Sequence, residues 1–304
     1  MTTRQNIVNF IRLSRPHFLL GGLLLFASGA AIANYLGARI DPGRYLLGQA
    51  FVTLIQLMGH YLNEYYDAPL DLLNENRTPF NAGSGALGPD GLPRPIALYA
   101  AITALTLAGT IAGIMLLTGD IPLLTWIFGL LGFFGSFSYS TPPLRLSVSG
   151  YGELVASIVV AGFVPAFSFS MFSGDLHRFI LMTTVPLIAL HFAMMLAFGL
   201  PDYASDLKYE KRTLMVRLGW DMGMRMHDYA ILFAVLSFVA AYLNGLPNRV
   251  ALGGLIVLPL ALAQIWQMNR IRSGFPPNWR IFTLGAVLLF ELTAYFMTLG
   301  FILS

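Results

Sequence analysis

The stretch RFILMTTVPLIALHFAMMLAFGLPDYASD, residues 178–206, decides the fold. Between Arg178 and Asp202 it holds no acidic or basic side chain except His191, and it then ends on two aspartates four residues apart. The apolar part fits the roughly 17–25 residues that cross a bilayer core as a helix. In hydrocarbon only helices and closed barrels satisfy their own backbone, and a continuous run without alternation selects the helix. The polar ending therefore puts carboxylates where a membrane helix leaves the oil.

Working outward, eight more runs of this kind lie near 18–36, 45–62, 96–118, 121–139, 152–172, 227–244, 249–268 and 281–302. The 304-residue chain is 56% hydrophobic and 11% charged, whereas about a quarter of the residues of a soluble domain are charged. The expectation is an all-α polytopic membrane protein with nine transmembrane helices in a single bundle, one domain over 1–304. With no cysteine, disulfides and thiol chemistry are excluded.

Charge divides the connecting segments into two sets. Arg39, Arg44, Arg178 and Arg249 fall on one side, and the other fourteen of the 18 lysines and arginines fall on the opposite side. By the positive-inside rule the richer side is cytoplasmic. This predicts a multi-pass protein of the cell membrane with a cytoplasmic N-terminus and, for nine spans, a C-terminus on the opposite side. Of the 15 acids, all but Asp41, Asp120, Asp175 and Glu291 share the cytoplasmic side. Both signs on one face point to a site that handles a polyanion with the help of a cation.

Two acidic clusters have the same form. NEYYDAPLD (63–71) carries Asn63, Asp67 and Asp71 off the second span, and GLPDYASD (199–206) carries Asp202 and Asp206 off the sixth. At four-residue spacing successive side chains rise about 6 Å and rotate about 40°, so each set shares a helix face. The two lie four helices apart, as in a parallel repeat of four-helix units. Pro69 and Pro201 are expected to distort the helix locally. At about 6 Å and an effective dielectric near 20, each pair of like charges costs roughly 3 kcal/mol, so a cation must offset the cluster. Hard oxygen ligands select Mg²⁺ or Ca²⁺ over zinc, and Mg²⁺ commonly shares one or two carboxylates with substrate phosphates. The alternative reading is a set of solvated loop acids paired with Lys208, Lys211 and Arg212.

These motifs, with SRP at 14–16, YSTPPLRLSVSGYGE at 139–153 and DYASDLKYEKRTLMVRLG at 202–219, resemble the UbiA superfamily of intramembrane aromatic prenyltransferases. The resemblance covers essentially the whole chain. It implies a helical bundle with a cytoplasmic-side active site, in which two aspartate-rich motifs bind Mg²⁺ and a polyprenyl diphosphate above a lipid-open cavity. Asn63, Asp67, Asp71, Asp202 and Asp206 then correspond to the metal-binding and catalytic positions. Lys208, Lys211 and Arg212, with Arg77 from the 2–3 loop, are placed to neutralise the diphosphate. Tyr139 and Arg145 stand where the family lines the site, with interfacial anchoring as the alternative. Glu64 replaces the family's usual aspartate after Asn63, and Glu210 replaces a glycine, which puts the local turn in question. RTLMVRLG and NAGSGAL (81–87) look more like the 1,4-dihydroxy-2-naphthoate branch of menaquinone synthesis than the 4-hydroxybenzoate branch.

The implied reaction ionises an allylic diphosphate to a carbocation, which an aromatic carbon attacks with loss of a proton and, for the naphthoate, carbon dioxide. The partners implied are a polyprenyl diphosphate, an aromatic acceptor and the lipid bilayer, with no nucleic acid. Tyr65, Tyr66, Tyr139 and Tyr203 are candidates to face the cation, each also readable as core or interface. Segments 63–95 and 201–226 are expected to close over the diphosphate. Glu291, deep in the last span, is read as structural and too far toward the outer side for the metal. His60 and His191 are read as core histidines, with His60 also within reach of the acceptor. Homogentisate, chlorophyllide or glyceryl phosphate acceptors, and transport of an anionic solute, are the other readings. Transporter sites lie near the bilayer midplane, whereas this cluster lies at one surface. Hydropathy excludes the soluble chain-elongating synthases.

Overall fold

The computed structural model describes residues 2–304, and every regular element among them is helical apart from an isolated bridge between Leu87 and Leu92. Helix α1 (Thr3–Leu13) precedes the bundle and is capped by Thr2, whose hydroxyl accepts from Gln5 N while Gln5 Oε1 accepts from Thr2 N. The rods that follow are α2 (Pro16–Tyr35), α3 (Pro42–Asp71), α4 (Pro95–Thr118) and α5 (Leu123–Ser140). Next come a composite rod of α6 (Gly152–Ser157) and α7 (Val164–Ser173), then α8 (Arg178–Lys208) and the short α9 (Leu214–Leu218). Helices α10 (Trp220–Leu243), α11 (Asn248–Ile256), α12 (Leu258–Arg272) and α13 (Trp279–Ile302) complete the chain.

Counted among the described residues, with α6–α7 and α11–α12 each taken as one rod, nine rods stand at the nine sequence positions. Eight of them are long and apolar enough to cross a membrane. Helix α3 is the exception, because Gln49, Thr53, Gln56, His60 and Asn63 interrupt its apolar run. Gln56, His60 and Asn63 face an internal cavity, so the helix spends its polar positions inward.

Prolines explain the irregular places. Pro165 has no N–H to return to the carbonyl of Ala161, and the rod widens there into a π-type turn over Ile158–Phe163. Pro259 likewise removes a donor where α11 gives way to α12. Pro69 lies within the last turn of α3 yet the helix continues. The carbonyl it leaves without a helical donor is that of Tyr65, and Arg94 Nε donates to it at 2.6 Å with the guanidinium 4.4 Å above the Tyr65 ring.

The most extensive helix pairs are α3 with α4 and α8 with α10, so each aspartate-bearing helix packs on the rod that follows it. On α4, Ala97, Ala101, Ala104 and Ala108 form a buried small-residue stripe that lets α3 approach closely. The main core gathers α8, α10 and α13 around side chains such as Leu196, Phe282 and Phe290. Leucines such as Leu117, Leu123 and Leu243 point outward and exposed, as lipid-facing positions do. Together these features make the chain a multi-span membrane protein.

Candidate active site

Helices α3 and α8 both run past their apolar stretches, to Asp71 and Lys208, and carry the acidic motifs on their last turns. The structure brings Asn63, Asp67 and Asp71 from α3, Tyr139 from α5, Asp202 and Asp206 from α8, and Lys211 to one cavity of about 260 Å³.

Lys211 sits among the four aspartates. Glu210 closes α8 with φ +57, the left-handed conformation in which glycine is usual, and Lys211 N donates back to Asp206 O at 2.8 Å. This turn directs the ammonium to Asp67 Oδ2 at 3.3 Å. Burial alone would lower the Lys211 pKa, but the charges of Asp67, Asp206, Asp71 and Asp202 outweigh it and hold it above the ordinary lysine value. The missing glycine therefore does not prevent the turn.

On the α3 side, Asn63 Nδ2 donates to Asp67 Oδ2 at 2.9 Å and to Ser140 Oγ at 3.3 Å, which leaves its carbonyl oxygen as the remaining polar atom. Arg145 stands 3.7 Å from Asp67 Oδ1. On the α8 side Asp202 is held by neutral groups. Asn74 Nδ2 donates to its Oδ1 at 2.6 Å, and Asn81 Nδ2 donates to the same oxygen. Thr213 Oγ1 donates to Asp206 at 3.3 Å. The 72–94 loop thus folds back over the acidic cluster, and Gly83, at φ +72, lies so close to Asp71 that a side chain there would strike its carboxylate.

Other sequence candidates lie elsewhere. Arg77, Lys208 and Arg212 are exposed and do not line the cavity. Arg77 donates to the carbonyl of Asp71 at 2.7 Å, and Lys208 lies over the Tyr209 ring at 5.4 Å. Past the end of α8 the chain turns, so only one of three neighbouring cations meets the acids. Tyr65 and Tyr66 lie beneath Arg94 and Arg145, and Tyr203 packs on Trp220. Of the four candidate tyrosines Tyr139 alone lines the cavity, and Phe290 lines it too, together with Phe18, Phe80 and Phe198, whose ring centroids lie 6.0–6.3 Å apart. Glu291 lines the same cavity, although its depth in the last span sets it apart from the acids in sequence reasoning.

Several residues of the site escape a reading by spacing. Arg15 lines the cavity and pairs with buried Glu64, its Nε donating to Oε1 at 2.7 Å. Glu64 also receives Ser84 N at 2.6 Å and Ser84 Oγ at 2.8 Å, so it ties the start of α2 to the loop. Glu153 lines the cavity with Oε1 accepting from Leu214 N at 2.9 Å and Oε2 buried without a partner. One signal was available in the backbone. Among the described residues the non-glycine residues at positive φ are Arg15, Ala82, Arg145 and Glu210, all around this end of the bundle. Such strain persists where surrounding contacts impose it, and it clusters at functional sites.

The donor set suits a hard divalent cation shared with substrate oxygens. Among the described residues no three His, Cys, Asp or Glu side chains close on one point as a metal cage. Asp67 Oδ1 is nonetheless buried without a hydrogen bond, beside an excess of carboxylates. Mg²⁺ characteristically takes one or two carboxylates and completes its shell with phosphate and water.

An acidic cluster at the mouth of an aromatic-walled cavity within a membrane bundle is the architecture of an intramembrane prenyltransferase. Residues 22–285 match the UbiA prenyltransferase family, and the chain belongs to it. It is 23% identical to the 1,4-dihydroxy-2-naphthoate octaprenyltransferase of Bacillus subtilis, over 76% of this chain and 70% of that protein. It is 25% identical to the digeranylgeranylglyceryl phosphate synthase of Ignicoccus hospitalis, over 88% of this chain and 85% of that one. In fold it resembles a UbiA homologue from Archaeoglobus fulgidus bound to GPP and Mg²⁺, with TM-score 0.66, 16% identity, and coverage of 95% of this chain and 99% of that one.

Proposed function

We propose that this prenyltransferase moves a polyprenyl group from its diphosphate to an aromatic acceptor of the 1,4-dihydroxy-2-naphthoate type, a step of menaquinone synthesis. The observation that carries the reading is the convergence of Asp67, Asp71, Asp202 and Asp206 on Lys211 at the mouth of a cavity walled by Phe18, Phe80 and Phe198. A diphosphate and its counter-cation fit the charged mouth, and an isoprenoid fits the aromatic interior.

Asn63, Asp67, Asp71, Asp202 and Asp206 would hold Mg²⁺. When bound, the metal supplies positive charge to the leaving diphosphate. Lys211 adds a fixed cation beside the same oxygens, with Arg15 and Arg145 behind it. The C1–O bond of the allylic diphosphate breaks with its electron pair going to the diphosphate oxygen. Phenylalanine faces offer the resulting cation a negative quadrupole without a nucleophile. Burial keeps water from quenching it. The ring carbon of the acceptor gives its π pair to C1, and a proton, or the carbon dioxide of a naphthoate carboxylate, leaves to restore aromaticity.

The 72–94 loop and α9 form the cover over the diphosphate, tied down through Asn74, Asn81 and Glu153. The whole of 1–304 works as one domain, in the cell membrane, with the N-terminus and the aspartate ends cytoplasmic and the C-terminus opposite. Similarity to a glyceryl phosphate synthase keeps a non-aromatic acceptor as the second reading. The test is to incubate the purified protein with Mg²⁺, geranylgeranyl diphosphate and a panel of acceptors, and to identify products by mass spectrometry. Prenylated, decarboxylated naphthoate supports the reading, and prenylation of glycerol phosphate alone contradicts it.

A further inference from the structure

Below the aspartates the cavity has a second polar region that the diphosphate chemistry does not use. Gln56, His60, His191 and Glu291 line it, drawn from α3, α8 and α13. Helix α2 makes room for two of them, since a side chain at Gly21 would collide with Glu291 Oε1 and one at Gly22 with Gln56 Oε1.

The hydrogen bonds around these four residues fix what they offer to an occupant. Gln56 Nε2 donates to Phe18 O at 2.7 Å, which leaves Oε1 as its acceptor. His60 Nδ1 faces Ser14 O at 3.4 Å, and a carbonyl only accepts, so Nδ1 carries the proton and Nε2 in the neutral ring accepts. Ser157 Oγ donates to Glu153 O at 2.6 Å, so its bond with His191 Nδ1 at 3.0 Å must be donated by the ring, leaving His191 Nε2 as an acceptor too. Glu291 has no hydrogen bond or ion pair to any described residue, and ionised or neutral it keeps at least one oxygen that only accepts. It lies twelve residues from Trp279, the start of α13, about 18 Å along the axis. An unpartnered carboxyl at that depth is costly without a function.

We infer that this region is an acceptor-binding subsite that selects a co-substrate with a hydroxyl group turned inward. A wall of hydrogen-bond acceptors is complementary to a donor-bearing edge, such as one hydroxyl of an aromatic diol. It excludes a phosphate or carboxylate, which brings only acceptors and negative charge, so any acidic group of the co-substrate faces the lysine and arginine end. Ser136, a hydroxyl on the same wall, serves either role. The inference rests on the aromatic-acceptor reading above and sharpens it, because it fixes which part of the ring is turned away from the charged mouth.

The test is direct binding to the full-length protein in nanodiscs, by equilibrium dialysis under argon, with 1,4-naphthalenediol and its dimethyl ether as probes. The diol is expected to bind at least about 10-fold more tightly than the ether. Glu291→Leu is expected to weaken diol binding by about 3- to 10-fold, the size of one hydrogen bond, while Mg²⁺-dependent binding of geranylgeranyl diphosphate is unchanged. Should that variant fail to fold, the near-isosteric Glu291→Gln carries the same prediction at a several-fold size. Equal binding of diol and ether, an unchanged diol affinity in the variant, or a parallel loss of diphosphate affinity overturns the subsite. Turnover of 1,4-dihydroxy-2-naphthoate is measured separately. Absence of product with diol-selective binding intact refutes the proposed acceptor and upholds the subsite, whereas product formation with unselective binding refutes the subsite alone.

Discussion

The two acidic helix ends look alike in sequence and are held differently in space. On α3, Asp67 is met by charge: Lys211 at 3.3 Å, Arg145 at 3.7 Å, and the Arg15–Glu64 pair one turn away. On α8, Asp202 and Asp206 are met mainly by neutral donors, the amides of Asn74 and Asn81 and the hydroxyl of Thr213. Neutral donors fix where a carboxylate's lone pairs point while leaving its charge uncancelled. Of the four aspartates only Asp67 has a direct ion pair among the described residues, while the field of Lys211 also reaches Asp206, Asp71 and Asp202.

The comparison breaks most severely if either arm proves dispensable. Asp67→Ala and Asp202→Ala are each expected to lower turnover by about 10³-fold or more, the scale for losing a preorganised electrostatic contact at a developing charge, with the protein still folded by circular dichroism. Full activity in either variant removes that arm from the chemistry. Chelation with EDTA is expected to abolish turnover and Mg²⁺ to restore it, whereas metal-independent activity contradicts the role given to both arms.

Lys211→Met acts on both arms. It removes the cation shared by the four aspartates, and a loss of about 100-fold in kcat/KM is expected. Asn81→Ala acts on the α8 arm and on the loop at once. It removes one hydrogen bond to a charged group, about 1.5–3 kcal/mol, so a roughly 10-fold rise in diphosphate KM and faster proteolysis within 72–94 are expected. An unchanged KM implies that the loop does not help hold the α8 arm. The smallest effect concerns the turn that aims Lys211. Glu210→Gly is expected to keep activity and raise stability by about 0.5–1 kcal/mol, since glycine takes positive φ without the steric cost, and a thermal melt measures it.

Much of the bundle was legible because apolar length is a local property. Each rod stands where its run of residues places it, and the acids share helix faces because four-residue spacing survives even past Pro69 and Pro201. Partnerships across the chain were not legible. Arg15 and Glu64 meet over 49 positions, and Asn81 and Asp202 over 121; no spacing rule reaches that far. Among Lys208, Lys211 and Arg212 the choice follows where α8 ends and how the chain turns at Glu210 to bring Lys211 N back to Asp206 O. Glu291 was read as remote because depth along a helix says nothing of how far a cavity extends to meet it. Its place in the lining shows the cavity reaching from the charged mouth to the middle of α13.

The account turns on both arms gripping one metal-bound diphosphate. Titration of an unreactive thiolodiphosphate analogue of geranylgeranyl diphosphate, with and without Mg²⁺, tests this directly in the wild type, Asp67→Ala and Asp202→Ala. Mg²⁺-dependent binding in the wild type and its loss by about 100-fold in both variants, some 2.8 kcal/mol, is the predicted result. Wild-type affinity in either variant, or binding indifferent to Mg²⁺, contradicts it.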